Sequence, residues 1–253
     1  MPTCSPPPRY GSFWGCLLLG GLLCAPAVSQ EADKRPGDVL DLSGWRLTLP
    51  LDTPRPLRPD EVRPPELSSF VKPPYFLVNE DGTGVVFRAH CGGVATRGSR
   101  FPRCELREVR SDGERAWWST TDSRQHTLTM TAAITATPQH KQHVVCAQIH
   151  DDEDDLLMIR LEGTKLFVER NDVERVMLTR RYQRGTPFHL KIQAGHGRVR
   201  LWYDHQLSMD WSVRRDQCYF KAGCYTQSNP DRGDQPDSFG EVVISELSVS
   251  SAP

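Results

Sequence analysis

The sequence predicts an all-β protein, a two-sheet antiparallel β-sandwich of the jelly-roll kind, and three observations predict it. From Val85 onward the chain reads as short runs of β-branched and aromatic residues, turn chemistry separates those runs, and no stretch holds a helical period. All-β sandwiches of 253 residues routinely form one domain, so a single core is expected.

Residues 1–29 read as an export signal. Arg9 supplies positive charge, Phe13 to Leu23 an apolar stretch, and Ala25-Pro26-Ala27 a small-residue cleavage site. The apolar run is too short to span a bilayer, which takes about 20 residues, and no later segment spans one either. The expectation is therefore a secreted, extracellular, monomeric domain over residues 30–253 with no membrane partner. A first strand is expected at Trp45 to Leu49. Eight prolines between Pro50 and Pro74 exclude a long helix and suggest an extended surface segment. Strands follow at Val85–Arg88, Thr127–Thr137, Val144–His150, Leu156–Leu161, Leu166–Glu169, Phe188–Gln193, Val199–Tyr203, Tyr219–Gln227 and Val242–Val249. Glu162-Gly163, Ala194 to Gly197 and Tyr203-Asp204-His205 supply turns between them.

A formal net charge of -1 argues against a nucleic-acid binder, whose affinity rests on a dominant basic surface. Any anionic ligand must meet a local basic site. Of the eight cysteines, Cys91, Cys104, Cys146, Cys218 and Cys224 lie beyond the signal. An oxidising compartment makes one or two disulfides plausible, and proximity favours Cys91 with Cys104 and Cys218 with Cys224. The second pair needs a bend, since six residues of straight strand span about 20 Å.

Alternation shows which side chains share a face. Arg103, Glu105 and Arg107 point one way, with Cys104 and Leu106 opposite. Gln148 and His150 share a face, as do Tyr219, Lys221, Tyr225 and Gln227. Any one of these is an ordinary solvated strand face. Together they combine donors with proton-transfer groups, which solvated faces rich in Lys, Glu, Thr and Ser do not. Gly223 is expected to open room for a ligand beside the backbone.

Arg103-Cys104-Glu105-Leu106-Arg107-Glu108, Gln148-Ile149-His150 and Tyr219-Phe220-Lys221-Ala222-Gly223-Cys224-Tyr225-Thr226-Gln227, in that order, resemble the three signature blocks of polysaccharide lyase family 7 alginate lyases. Leu42 to Pro50 looks like that family's first strand, and the resemblance runs from Asp41 to about Val249. Cys104 departs from the Ser or Thr usual there, and Cys224 stands at a variable position; neither is on the polar face. The resemblance implies a jelly roll whose concave sheet forms a groove for an acidic polysaccharide, cleaved to leave an unsaturated sugar. It puts carboxylate neutralisation on Arg103, Gln148 and His150, and proton transfer on Tyr225 and, for some substrates, His150. The resemblance also implies that Glu105, Arg107, Lys221, Tyr219 and Gln227 line the substrate. By the same resemblance, Ile149 implies acceptance of guluronate-containing stretches.

The chemistry suits these residue types. A uronate C5 proton is a poor acid beside a negative carboxylate, so that charge must be offset first. Arg103 can donate two parallel hydrogen bonds, with Gln148 and a His150 N–H as further donors. A free tyrosine ionises near pH 10, and cations beside a phenol favour the phenolate. Tyr225 can then serve as base and acid in turn; where the proton and the leaving oxygen lie on opposite sides of the ring, His150 is the better base.

The scheme requires no metal and no cofactor. His140 and His143 lack a third ligand and read as surface histidines, and Asp151 to Asp155, lacking spaced ligands, reads as a solvated turn at the groove's rim. Trp117-Trp118 could stack a sugar, although burial of one in the core is the default. A sandwich hydrolase needs two carboxylates across the scissile bond, whereas Glu105 is the one obvious carboxylate here, expected to be held by Arg103 and Arg107. A lyase for another polyuronate such as glucuronan, or a non-catalytic carbohydrate-binding sandwich, remain as alternatives.

Overall fold

Strands with period-two burial build two sheets. The structure, a computed structural model, describes residues 1–5, 11, 34–171 and 173–253. The expected export segment lies almost wholly outside them. In chain order the elements are α1 (Pro36–Val39), β1 (Trp45–Thr48), β2 (Glu61–Val62), β3 (Phe76–Val78), β4 (Val85–His90), β5 (Arg103–Glu108), β6 (Gln125–Ala136), β7 (His143–His150), β8 (Asp155–Glu162), β9 (Lys165–Arg170), β10 (Val173–Thr179), β11 (Phe188–Gly195), β12 (Arg198–Tyr203), β13 (Gln206–Ser212), β14 (Tyr219–Thr226) and β15 (Phe239–Ala252). One sheet runs β10-β9-β8-β7-β14-β5-β1-β2 and the other β13-β12-β11-β6-β15-β4-β3. All pairings are antiparallel.

The core is the meeting of the two inner faces. Leu47, Leu106, Ile149, Ile159 and Phe220 come from the first sheet, and Phe87, Leu128, Met130, Ile192 and Val242 from the second, all fully buried. On β6 and β11, buried and half-exposed residues alternate, as for a sheet with one wet face. β5, β7 and β14 differ: nearly every residue is buried, on both faces. Something other than water covers their outer side.

The expected strands form, and β2, β3, β10 and β13 add four that the sequence pattern does not announce. All four are sheet edges, and β10 and β13 carry exposed and charged residues. The proline-rich segment is mainly turns and carries the short edge strand β2.

The expected disulfides are absent among the described residues. Cys91, Cys104, Cys146, Cys218 and Cys224 are buried free thiols. Cys104 faces Cys224 across β5 and β14 rather than Cys91, and its Sγ donates to the Tyr75 carbonyl at 3.3 Å. Burial pushes the Cys91 thiol up to about 11 and Cys146 and Cys218 to about 12, which keeps them protonated and unreactive.

Candidate active site

Strand order brings the three sequence clusters together, because β14 lies between β7 and β5. Register then sets the neighbours. Tyr225 is opposite Arg103, Lys221 lies between Arg107 and Gln148, and Tyr219 is opposite His150. The pleat turns these side chains to the outer face of the eight-stranded sheet.

At the centre is Glu105, 1% exposed. One oxygen accepts from Arg103 Nη1 at 2.9 Å and Lys221 Nζ at 2.7 Å, and the other accepts from the Gln148 amide. Gln148 and Lys221 are 1% and 3% exposed. A solvated strand face does not look like this: here the polar groups are buried on one another, and they cover the outer side of the three strands. Burial works against the Glu105 charge, but the Lys221 ammonium and the Arg103 guanidinium outweigh it and hold the carboxyl at about 2. Burial, then Arg103, pulls Lys221 down to about 7, with Glu105 opposing.

Two expectations are thereby corrected. Glu105 pairs with Arg103 and Lys221, not with Arg107, because the register sets Gly223, which has no side chain, opposite Glu105, and Lys221 reaches it diagonally from two residues away. Both its oxygens are engaged below the surface, so it orients the donors rather than touching a ligand. The expected room beside Gly223 is also not there. Its φ is +138°, and an added Cβ would lie 2.6 Å from the Cys104 carbonyl oxygen, so glycine is required by the close approach of β5.

Tyr225 stacks under a cation, with Arg103 Cζ 3.8 Å from its ring centroid. Its hydroxyl is 3.0 Å from Ser99 Oγ, which itself accepts from the Phe101 N–H at 3.2 Å. Ser99 sits on the loop before β5, outside any strand pattern.

His150 lies 2.7 Å through Nδ1 from the Asp151 carbonyl, an acceptor, so Nδ1 carries the hydrogen and Nε2 the lone pair. The Tyr219 hydroxyl is 3.1 Å from the same Nδ1. Burial, then Lys221, lowers the imidazole to about 4. His150 is therefore neutral at pH 7, and with its N–H engaged by backbone it presents a lone pair, where the sequence led to the expectation of a donor to the carboxylate. Asp151 builds the turn that supplies this carbonyl. Only 3% exposed, its carboxylate accepts from the Glu153 and Asp154 N–H groups, both at 2.7 Å, and pairs with Arg215 at 3.2 Å. The acidic run thus starts with a buried, structural carboxylate rather than a wholly solvated turn.

Arg107 stands free of Glu105, near the Tyr219 ring at 5.1 Å. The Nε atoms of Arg103 and Arg107 are buried and lack a hydrogen-bond partner among the described residues. Gln227 follows β14, buried, its N–H donating to the His143 carbonyl. Ile149 is in the core, so it acts on the site only through Gln148 and His150. Trp118 is buried and donates to Glu108 at 2.9 Å, while Trp117 is exposed.

The alginate lyase family model matches residues 40–251. Among solved structures, an alginate lyase from polysaccharide lyase family 7, AlgAT5, is 47% identical with a TM-score of 0.83, over 87% of this chain and 100% of that one. An alginate lyase from Corynebacterium sp. is 38% identical with a TM-score of 0.81, over 86% and 98%. A curated alginate lyase from Klebsiella pneumoniae is 30% identical over 99 residues, 39% of this chain and 32% of that relative's length.

Proposed function

The chain belongs to the alginate lyase family, and from that premise we propose that it is a secreted polysaccharide lyase that cleaves alginate, guluronate-containing stretches included, by β-elimination. The observation that carries the reading is a buried and a half-buried arginine, Arg103 and Arg107, whose Nε donors are unpartnered on one sheet face, flanked by a phenol and a neutral imidazole. Buried donors almost always find acceptors, and a uronate carboxylate is planar and accepts in the fork geometry that arginine presents. Neutralising that carboxylate makes the C5 proton removable. His150 offers a lone pair at Nε2 to take it from one side of the ring, and Tyr225 reaches the leaving oxygen, or the proton itself, from the other. Export is supported by residues 1–29, and the guluronate preference by the resemblance at Ile149 alone.

Incubation with alginate, polyguluronate, polymannuronate and polyglucuronate, followed by ultraviolet absorbance of the unsaturated product, tests this. Absorbance should rise with alginate and polyguluronate; reducing ends without absorbance would mean hydrolysis, and no product would mean binding alone.

The base must be neutral to act, so activity is present above the His150 pKa and lost as pH falls through it. The acid limb of kcat/KM should fall near pH 4 instead of near the ordinary histidine value of about 6.5. A limb centred at the ordinary value would show that the imidazole is not held as described.

A further inference from the structure

Beside the site, between the Pro54–Arg63 segment and the Ala95–Arg97 loop, lies a hollow of about 1080 Å³ that joins the reactive face at Arg107. Five arginines line it, Arg55, Arg58, Arg63, Arg97 and Arg107, against Asp60 and Glu61. None of the five is in an ion pair among the described residues. Asp60 already accepts from the Thr53 hydroxyl at 2.5 Å, and Glu61 lies 3.5 Å from Arg46. In a chain of net charge -1, five guanidinium groups against two carboxylates make this a concentrated wall with an excess of positive charge.

The wall is also built in advance. The Leu49 N–H donates to the Asp60 carbonyl at 2.9 Å, and the Leu57 N–H to the Asp52 carboxylate at 2.8 Å. The Val94 N–H, donating to the Pro50 carbonyl at 3.2 Å, ties one side to the other. Arginines on a backbone already held lose less freedom when they bind.

We propose that this hollow is a distal binding site for the same acidic polysaccharide, holding carboxylates several sugars away from the linkage that is cut. The inference rests on the lyase reading and extends it to chain length. From β14 to β2 the sheet advances three strand spacings, about 14 Å. A chain laid across the strands from Tyr225 meets the near lip of the hollow at Arg107 on β5 and its far wall, beside β2, at about that distance. Guanidinium groups there would pair with successive carboxylates, in a salt-sensitive way because Arg55, Arg58, Arg63 and Arg97 are exposed.

The test compares the wild type with an R55A/R58A/R97A variant on polyguluronate and on a series of its oligomers. These side chains are exposed, so the fold is not at stake. For polymer, KM should rise about tenfold or more at unchanged kcat, and the dependence of affinity on salt should weaken. On oligomers too short to reach the hollow, the two proteins should coincide. Equal KM on polymer, or an equal loss at every length, overturns the proposal. If neither protein cuts any polyuronate but the wild type alone is retarded in a polyguluronate affinity gel, the catalytic reading falls and the hollow stands.

Discussion

Replacing Tyr225 by phenylalanine is expected to lower kcat by roughly 10²- to 10⁴-fold while leaving folding and polymer affinity intact. The substitution removes one oxygen whose protein partner is Ser99 Oγ at 3.0 Å, on a surface loop. The ring, and with it the stacking of Arg103 at 3.8 Å, is retained. The cation that meets the carboxylate therefore stays in place, and only proton transfer is lost. Initial rates by product absorbance, polymer retardation in an affinity gel and the thermal midpoint together check this. Near-normal turnover would assign the proton transfer elsewhere, with His150 first in line; weakened binding at normal turnover would make the phenol a contact residue instead.

Glu105→Ala should be the most destabilising single change at the site, by about 3–5 kcal/mol, because it leaves a guanidinium and an ammonium buried with no anion between them. Denaturant unfolding measures it directly, and a loss under about 1 kcal/mol would mean that solvent reaches the two cations after all. Linkage gives a second reading of the same network. The Glu105 carboxyl is depressed to about 2 from an unfolded value of about 4.3, so its contribution is complete above the unfolded value and vanishes as pH falls through about 2. The variant should accordingly show a flatter loss of stability in acid than the wild type.

Much of this was legible in the sequence because a strand's period is two. Arg103, Gln148, His150 and Tyr225 could be placed on shared faces from spacing alone, and the fold class followed from alternating runs punctuated by turns. Partners across strands are another matter. Whether Arg107 or Lys221 meets Glu105 depends on how β14 registers against β5 and β7, and no periodicity within one strand contains that information. Ser99 and Asp151 were silent for a related reason: each acts through a single contact from a loop, one to a phenol and one through a backbone carbonyl to an imidazole. The edge strands β10 and β13 escaped because edges carry charge where inner strands alternate.

The double burial of β5, β7 and β14 has a consequence for how such a protein can change. Its reacting groups are mounted on planking that is interlocked above and packed below, so almost any exchange there disturbs several neighbours at once. Adaptation to a new sugar has freer play at the margins, in the loops around Thr96 and Arg58, where side chains reach inward from solvent and answer to few others.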